Sequence, residues 1–279
     1  MPFPQHTGVT HTTASHQLEI FAHRGLSLDS PENTLASFKA VEAYEDAWVE
    51  IDVHTTADGI AVVSHDPTLD RVAGVPGKIA AMSFAQLQAI DLPDGHKVPT
   101  LLQTLQEFPK LSFNIDMKDY ASARTVPQVL GQIDNPKRIR ITSFSERTRR
   151  RAYKELCALG LEKMVPLGAS EILMGLIYIS SWFGPRVWIK LAPLVHRYLP
   201  VADALQIPES YEILGRTWNI LTPSLLKTAH VNGYKVHVWT VDEPSCMRRL
   251  FDMGVNGIVS NRIDILESVR REYTAVESN

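Results

Sequence analysis

Cysteine is nearly absent from the chain: two occur in 279 residues, Cys157 and Cys246, far apart and each in a helix-like stretch. That excludes a disulfide framework or a thiolate metal cluster, and two buried free thiols are expected. Excess positive charge is lacking as well. With a formal net charge of −3 at pH 7, the chain carries no electrostatic footprint for nucleic acid. No uninterrupted apolar run reaches the ~20 residues of a membrane-spanning helix. The strongest candidate, Ile172 to Pro185, breaks at Gly184-Pro185 and is followed by Arg186 and Lys190. Met1 to Gln17 contains neither lysine nor arginine and no apolar run. It is read as a polar tail at 1–17, neither secretory signal nor transit peptide, with His6, His11 and His16 solvated. A soluble cytoplasmic protein is the resulting expectation. Finally, no glycine-rich phosphate loop follows the first apolar strand, which weighs against a doubly wound nucleotide-binding sheet.

What is present is ordinary for a globular enzyme, 44% hydrophobic and 21% charged residues. A chain this long buries a sizeable core without disulfides. Short apolar strands alternate with helical patterns. Strands are predicted at Leu18 to Ala22, Trp48 to Val53, Leu111 to Asp116, Arg138 to Thr142, Ala202 to Ile207, Lys235 to Val241 and Gly257 to Ser260. Helices are predicted at Glu32 to Tyr44, Glu146 to Ala158, Pro223 to Val231, Pro244 to Met253 and Ile263 to Tyr273. This rhythm, without a polar linker, points to one α/β domain over 18–279, a (β/α)8 TIM-type barrel. Two segments interrupt it. Residues 55–98 open on the hairpin signal Ala57-Asp58-Gly59 and read as a small inserted subdomain after strand two. Residues 168–200 read as an apolar cap over the barrel mouth, packed mainly into the core.

The chemistry is concentrated at strand ends. Along WVEIDV, Glu50 and Asp52 alternate with Val49, Ile51 and Val53, so both carboxylates share one face. Two inward carboxylates repel each other unless a cation joins them. Asp116 closes a second apolar strand, and Lys118 follows at the same parity. Three carboxylates from strand ends make a hard oxygen site for one Mg2+ or Ca2+. Lys118 adds positive charge for an anionic substrate. His23 and His65 end two further strands near this cluster, and imidazole serves as general acid or base near neutral pH. Arg24 offers a planar fork for phosphate oxygens.

These residues sit in an ordered set of motifs: AHRG, SPENTLASF, EIDVHTTADG, VVSHD and VPTL, then VHVWTVD and GVNGIVSNR. Over roughly Leu18 to Leu266 the set resembles the glycerophosphodiester phosphodiesterase family. The resemblance implies a barrel with a small subdomain after strand two. It implies that His23 and His65 are an acid–base pair, that Arg24 contacts phosphate, and that Glu50 and Asp52 are metal ligands. It also implies hydrolysis of a small glycerophosphodiester to glycerol 3-phosphate and an alcohol, through attack of the glycerol 2-hydroxyl on phosphorus. Trp239 matches a pocket tryptophan. Asp116 stands where the family usually has glutamate, which bears on the choice of ion. Asn256 and Asn261 replace common aspartates and are expected to act in strand-end hydrogen bonding. Glu32 and Asn33 are expected to brace the first loop and Arg24. His54 is left outside the ligand set, and His96, His196, His230 and His237, with no charged constellation around them, are read as structural or solvated.

Two alternatives remain open from sequence. Lysophospholipase D-type cleavage would use the apolar 168–200 segment and bring transient lysolipid or membrane contact. A non-catalytic phosphodiester-binding barrel is the other. Which histidine is the acid is not decided by the residues.

Overall fold

The structure is a computed structural model that describes residues 18–213 and 215–277; the tail at 1–17, with His6, His11 and His16, lies outside the described residues. Contacts divide the chain into two compact units, Ala22–Pro166 and a second unit of residues 18–21 with 167–277.

The Ala22–Pro166 unit contains the end of β1 (Glu19–His23), β2 (Trp48–Thr55), β3 (Ala61–Val63), β4 (Ser112–Met117) and β5 (Ile139–Thr142). Its helices are α1 (Leu35–Val41), α2 (Asp70–Ala73), α3 (Phe84–Gln88), α4 (Leu101–Glu107), α5 (Ser122–Leu130) and α6 (Glu146–Leu159). β2 and β4 run parallel, paired from Trp48↔Ser112 to Val53↔Met117, and β5 continues the sheet beyond β4. The predicted hairpin folds β3 back antiparallel on β2, with Gly59 in the left-handed region at φ 83°. Val49, Ile51 and Val53 are fully buried, as are Phe113 and Ile115 on β4. Against them Phe38 of α1 meets Phe108 and Phe113 edge-on, at ring distances of 6.2 and 6.1 Å.

The first helix starts later than its apolar spacing predicts. Thr34 and Ser37 form a reciprocal capping box, so the helix begins at Leu35 and Glu32 and Asn33 stay in the preceding turn. After β3, short helical pieces surround a small core of their own made by Val62, Leu69, Ile79, Leu87, Leu92 and Val98.

The second unit contains β6 (Ala204–Ile207), β7 (Ser210–Ile213), β8 (Arg216–Asn219), β9 (Lys235–Val238) and β10 (Gly257–Ser260). Its helices are α7 (Glu171–Ser181), α8 (Pro185–Val195), α9 (Pro223–Val231), α10 (Pro244–Met253) and α11 (Ile263–Glu277). β9 pairs in parallel with β6 on one side and β10 on the other. Gly168 makes an isolated parallel bridge to Ala204. The antiparallel β7–β8 hairpin is an element that the sequence pattern did not announce.

Three expectations need correction. The 168–200 segment is not packed mainly into a core. Trp188 is buried and donates its indole N–H to the Tyr234 hydroxyl at 3.2 Å, but Trp182 and Phe183 are 59% and 72% exposed. Gly184 and Pro185 end one helix and start the next, turning two apolar faces outward. The cysteines are free but not buried: Cys157 is exposed and Cys246 half-buried, both on outer helix faces. His237 does have a charged neighbour, the Glu19 carboxylate 3.0 Å from Nε2. Among the described residues no helix is long and apolar enough to cross a membrane.

Beyond β4 one carboxylate stitches the Ala22–Pro166 sheet to its helices. Asp119 accepts the Thr55 N–H at 2.9 Å and the Ser122 N–H at 2.7 Å, and stands 3.2 Å from His54 Nδ1. Burial opposes its ionisation, but these donors outweigh burial and hold the carboxyl below its ordinary range. A depressed native value stabilises the fold above the unfolded-state value and is lost as pH falls through the native one. Asp119→Asn should therefore lower stability at pH 7 by about 1–3 kcal/mol. In thermal melts the gap between wild type and variant should narrow below about pH 4. A gap that stays constant with pH would contradict this assignment.

Candidate active site

The site begins with a strained turn. β1 ends at His23, and both Arg24 (φ 58°) and Gly25 (φ 82°) take left-handed backbone conformations. For Arg24 this costs on the order of 1–3 kcal/mol, so the surroundings must hold it. Its N–H donates to the Glu50 carbonyl at 2.8 Å, and its carbonyl accepts the Asn33 N–H at 2.9 Å and the Ser37 hydroxyl at 3.2 Å. A side chain at Gly25 would meet the backbone of Ser37 at 2.8 Å, so the close approach of α1 requires glycine.

Asp52 is the centre of the charged cluster. Lys118 Nζ lies 2.8 Å from Oδ1, Asn33 Nδ2 donates to Oδ2 at 3.2 Å, and Arg24 Nε stands 3.4 Å from the same oxygen. The parallel register places Asp116 directly beside Asp52 on the neighbouring strand, and Lys118 also reaches Asp116 Oδ2 at 2.7 Å. Both carboxylates are nearly sealed, at 2% and 6% side-chain exposure. Burial works against the Asp52 charge, yet Lys118, Arg24 and His65 keep its carboxyl below the ordinary value. Asp116 goes the other way: burial and the adjacent Asp52 charge raise it despite Lys118. Burial favours loss of the Lys118 proton, but the two carboxylates oppose that loss more strongly, and the ammonium is held charged well above its usual range.

Glu50 lies two residues before Asp52 on the same face of β2. Its Oε2 is buried with no hydrogen-bond partner, and burial followed by the Asp52 charge pushes its carboxyl well above the ordinary value. A buried acceptor left unpaired beside two more carboxylates is the environment that a hard cation relieves. In the arrangement as it stands, no three acidic, histidine or cysteine side chains among the described residues are yet gathered around one point, and the Lys118 ammonium bridges Asp52 and Asp116. The donor set fits a Mg2+ or Ca2+ ion that would take over part of the neutralisation Lys118 now supplies.

His65 follows β3, one third exposed, with Nδ1 2.8 Å from Asp66 Oδ1. Asp66 also receives Arg71 Nε at 2.6 Å, Arg71 reaches Glu32 at 2.7 Å, and Glu32 receives Arg24 Nη1 at 3.0 Å. Burial opposes the charges on Asp66 and Glu32, but His65 and the arginines prevail and keep both carboxyls below their ordinary range. One chain of alternating charge thus runs from His65 to Asp116. A carboxylate on Nδ1 fixes that nitrogen as the donor and leaves Nε2 as the acceptor of the neutral ring. His54, left out as a ligand, supports His65 instead: its Nε2 lies 3.2 Å from the His65 carbonyl, while Asp119 holds the other nitrogen.

The sequence-derived candidates therefore divide. Arg24, Glu50, Asp52, His65, Asp116 and Lys118 share the Ala22–Pro166 unit, the carboxylates toward the C-terminal ends of their strands. His23 is half-buried at the end of β1. Trp239 directly follows β9 in the second unit, half-buried, its N–H donating to the Ile207 carbonyl at 3.2 Å. Asn256 accepts the Val236 N–H at 2.8 Å, and Asn261 donates to Asp242 at 2.8 Å, both strand-end roles. Glu32 and the Asn33 N–H brace Arg24 as expected, while the Asn33 side chain also donates to Asp52, which was not anticipated. Sequence reasoning missed Asp66 and Arg71. Asp66 was legible as the neighbour of His65 in VVSHD, whereas Arg71 carries no local signal.

Comparison with known proteins agrees with this geometry. The sequence matches the glycerophosphoryl diester phosphodiesterase family over residues 23–265. It is 31% identical to a probable glycerophosphodiester phosphodiesterase 2 of Mycobacterium tuberculosis, covering 89% of each chain. A solved structure of a presumed glycerophosphoryl diester phosphodiesterase from Agrobacterium tumefaciens aligns with a TM-score of 0.73 at 21% identity, over 93% of this chain and 99% of the other. A phosphodiesterase of Oleispira antarctica, solved with the product sn-glycerol-3-phosphate, aligns with a TM-score of 0.68 at 23% identity, over 90% and 96%. The fold is thus the TIM-type (β/α) barrel expected from the strand–helix alternation. Sequence match, fold and the arrangement around Asp52 converge: the chain belongs to the glycerophosphoryl diester phosphodiesterase family.

Proposed function

We propose that the protein hydrolyses small glycerophosphodiesters to glycerol 3-phosphate and an alcohol, using one divalent cation and two histidines. The observation that carries this reading is the in-register Asp52–Asp116 pair, neutralised by Lys118 and Arg24 beside the unpaired Glu50 oxygen. Arg24 and Lys118 bind the equatorial phosphate oxygens, where negative charge develops. His65 Nε2 takes the proton of the glycerol 2-hydroxyl as that oxygen bonds to phosphorus. Asp66 then faces the imidazolium and stabilises it. His23 gives a proton to the departing alkoxide as the second P–O bond breaks. Water opens the resulting cyclic phosphate with the proton transfers reversed. Glu50, Asp52 and Asp116 would hold Mg2+ or Ca2+, which supplies Lewis-acid polarisation of phosphoryl oxygens when bound. Trp239 is proposed to line the substrate pocket.

The acid–base assignment has a direct test. His23→Ala and His65→Ala should each lower kcat/KM on glycerophosphocholine by about 10²–10⁴-fold, from a bell-shaped pH profile in wild type. With a nitrophenyl leaving group, which needs no protonation, the loss in His23→Ala should shrink while that in His65→Ala persists. Equal large losses on both substrates would falsify the separate acid and base roles. A protein that binds glycerophosphocholine and metal but releases no choline would be a binding barrel, and preferential release from lysophosphatidylcholine would mark a lysophospholipase D.

Metal binding can be read without turnover. Calorimetric titration of Mg2+ or Ca2+ into the chelator-treated protein should show one site, weakened at least about 100-fold by Asp52→Ala. Lys118→Met removes a competing positive charge, so it should bind the ion more tightly while kcat/KM falls. Undiminished affinity in Asp52→Ala rejects the ligand set. Weaker binding in Lys118→Met means that the ammonium does not compete with the ion.

A further inference from the structure

Nine of the eighteen large hydrophobic side chains exposed among the described residues lie between Ile172 and Tyr198. Exposed apolar surface is normally scattered, and its concentration marks a contact surface. On α7 and its end, Ile172, Leu176, Ile179 and Phe183 recur at spacings of four, three and four, one side of a helix, with Trp182 beside them. On α8, which packs against α7, Leu191 and Leu194 begin a second exposed row that Tyr198 continues in the turn just past the helix, at spacings of three and four. The β7–β8 hairpin is tied to α7 by the Tyr178 hydroxyl, which donates to the Asn219 carbonyl at 3.0 Å. It adds the cross-strand pair Tyr211 and Trp218, 52% and 43% exposed.

Charge identifies the occupant. From residue 172 to 202 there is no aspartate or glutamate, although the whole chain has a net charge of −3. The cations in that stretch are Arg186, Lys190 and Arg197, all exposed, at spacings of four and seven. They make a basic row beside Leu191, Leu194 and Tyr198. Long cationic side chains next to apolar and aromatic ones suit a boundary where lipid chains meet anionic headgroups. Tryptophan and tyrosine favour that same depth. A second copy fits less well, because a two-fold contact would set the basic row against itself. Spanning is ruled out by size: each helix has 11 residues, about 16 Å, roughly half the ~30 Å hydrocarbon layer.

We infer that α7 and α8, with the β7–β8 hairpin, dock the protein on the surface of an anionic lipid bilayer. The exposed apolar rows enter the interface, and Arg186, Lys190 and Arg197 lie against acidic headgroups. The full-length protein should float with vesicles of equal parts phosphatidylcholine and phosphatidylglycerol, but not with phosphatidylcholine alone. Tryptophan fluorescence should shift to the blue on docking, and Trp182→Ser should remove most of that shift. Phe183→Ser, and the double change Arg186→Glu with Lys190→Glu, should each lower the vesicle affinity at least about tenfold. All these positions are exposed, so melting temperature and turnover of soluble glycerophosphocholine serve as folding controls. Absence of flotation overturns the proposal, as does equal flotation of wild type and both variants. Concentration-dependent dimerisation abolished by Phe183→Ser, without vesicle binding, would assign the surface to a second copy and overturn it likewise.

Discussion

The buried Asp52 carboxylate imposes the constraint on which the surrounding structure depends. A carboxylate almost closed to water cannot remain ionised without donors on both oxygens. Here the donors come from three places in the chain: Lys118 beyond β4, Asn33 before α1, and Arg24 after β1. Each is held in turn. The capping box at Thr34 keeps Asn33 outside the helix, and the Glu50 carbonyl pins the left-handed Arg24 backbone. Parallel register between β2 and β4 brings Lys118 within reach. The local oddities of the Ala22–Pro166 unit are therefore consequences of one requirement, that this charge be satisfied where β2 ends.

The same requirement explains why the histidine and phosphate-binding groups are linked instead of independent. Arg24 is shared between Asp52 and Glu32, Glu32 between Arg24 and Arg71, and Arg71 between Glu32 and Asp66. Neutralising one carboxylate orients the next cation along the line until His65 is reached. Such shared pairs restrict each side chain to one rotamer, which is what positioning an attacking group relative to phosphorus demands. His54 and Asp119 add a second restraint through the His65 backbone.

Much of this was legible because it is local. The alternation in WVEIDV assigns Glu50 and Asp52 to one face, and proline at the first helical position places the starts of α9 and α10 where they are found. Arg71 was not legible, because its partners Glu32 and Asp66 meet only after the segment beyond β3 folds back. The bridge at Gly168 spans one residue, too little for a period to emerge, and the β7–β8 hairpin is exposed on both faces, so no burial pattern betrays it. The 168–200 segment failed for another reason. Apolar periodicity identifies a helix face but not what covers it, and the natural assumption of protein core does not hold when that face is turned outward.

Charge balance connects the cluster to its proposed ligand. If every group were ionised, Glu32, Glu50, Asp52, Asp66 and Asp116 would exceed Arg24, Arg71 and Lys118 by two negative charges. A phosphodiester brings another, and without further neutralisation it would be repelled from the groups meant to bind it. The upward shift of the Glu50 and Asp116 carboxyls is the same excess expressed as proton retention, since a partly sealed site relieves surplus charge by protonating its least supported carboxyls. One divalent ion would cancel the excess without adding bulk. It would also release Lys118 from bridging two carboxylates, freeing a cation for the substrate oxygens. On this reading, Asp116, which now holds the Lys118 ammonium, would be among the residues to hold the ion, so that binding the ion and presenting the lysine would be one event.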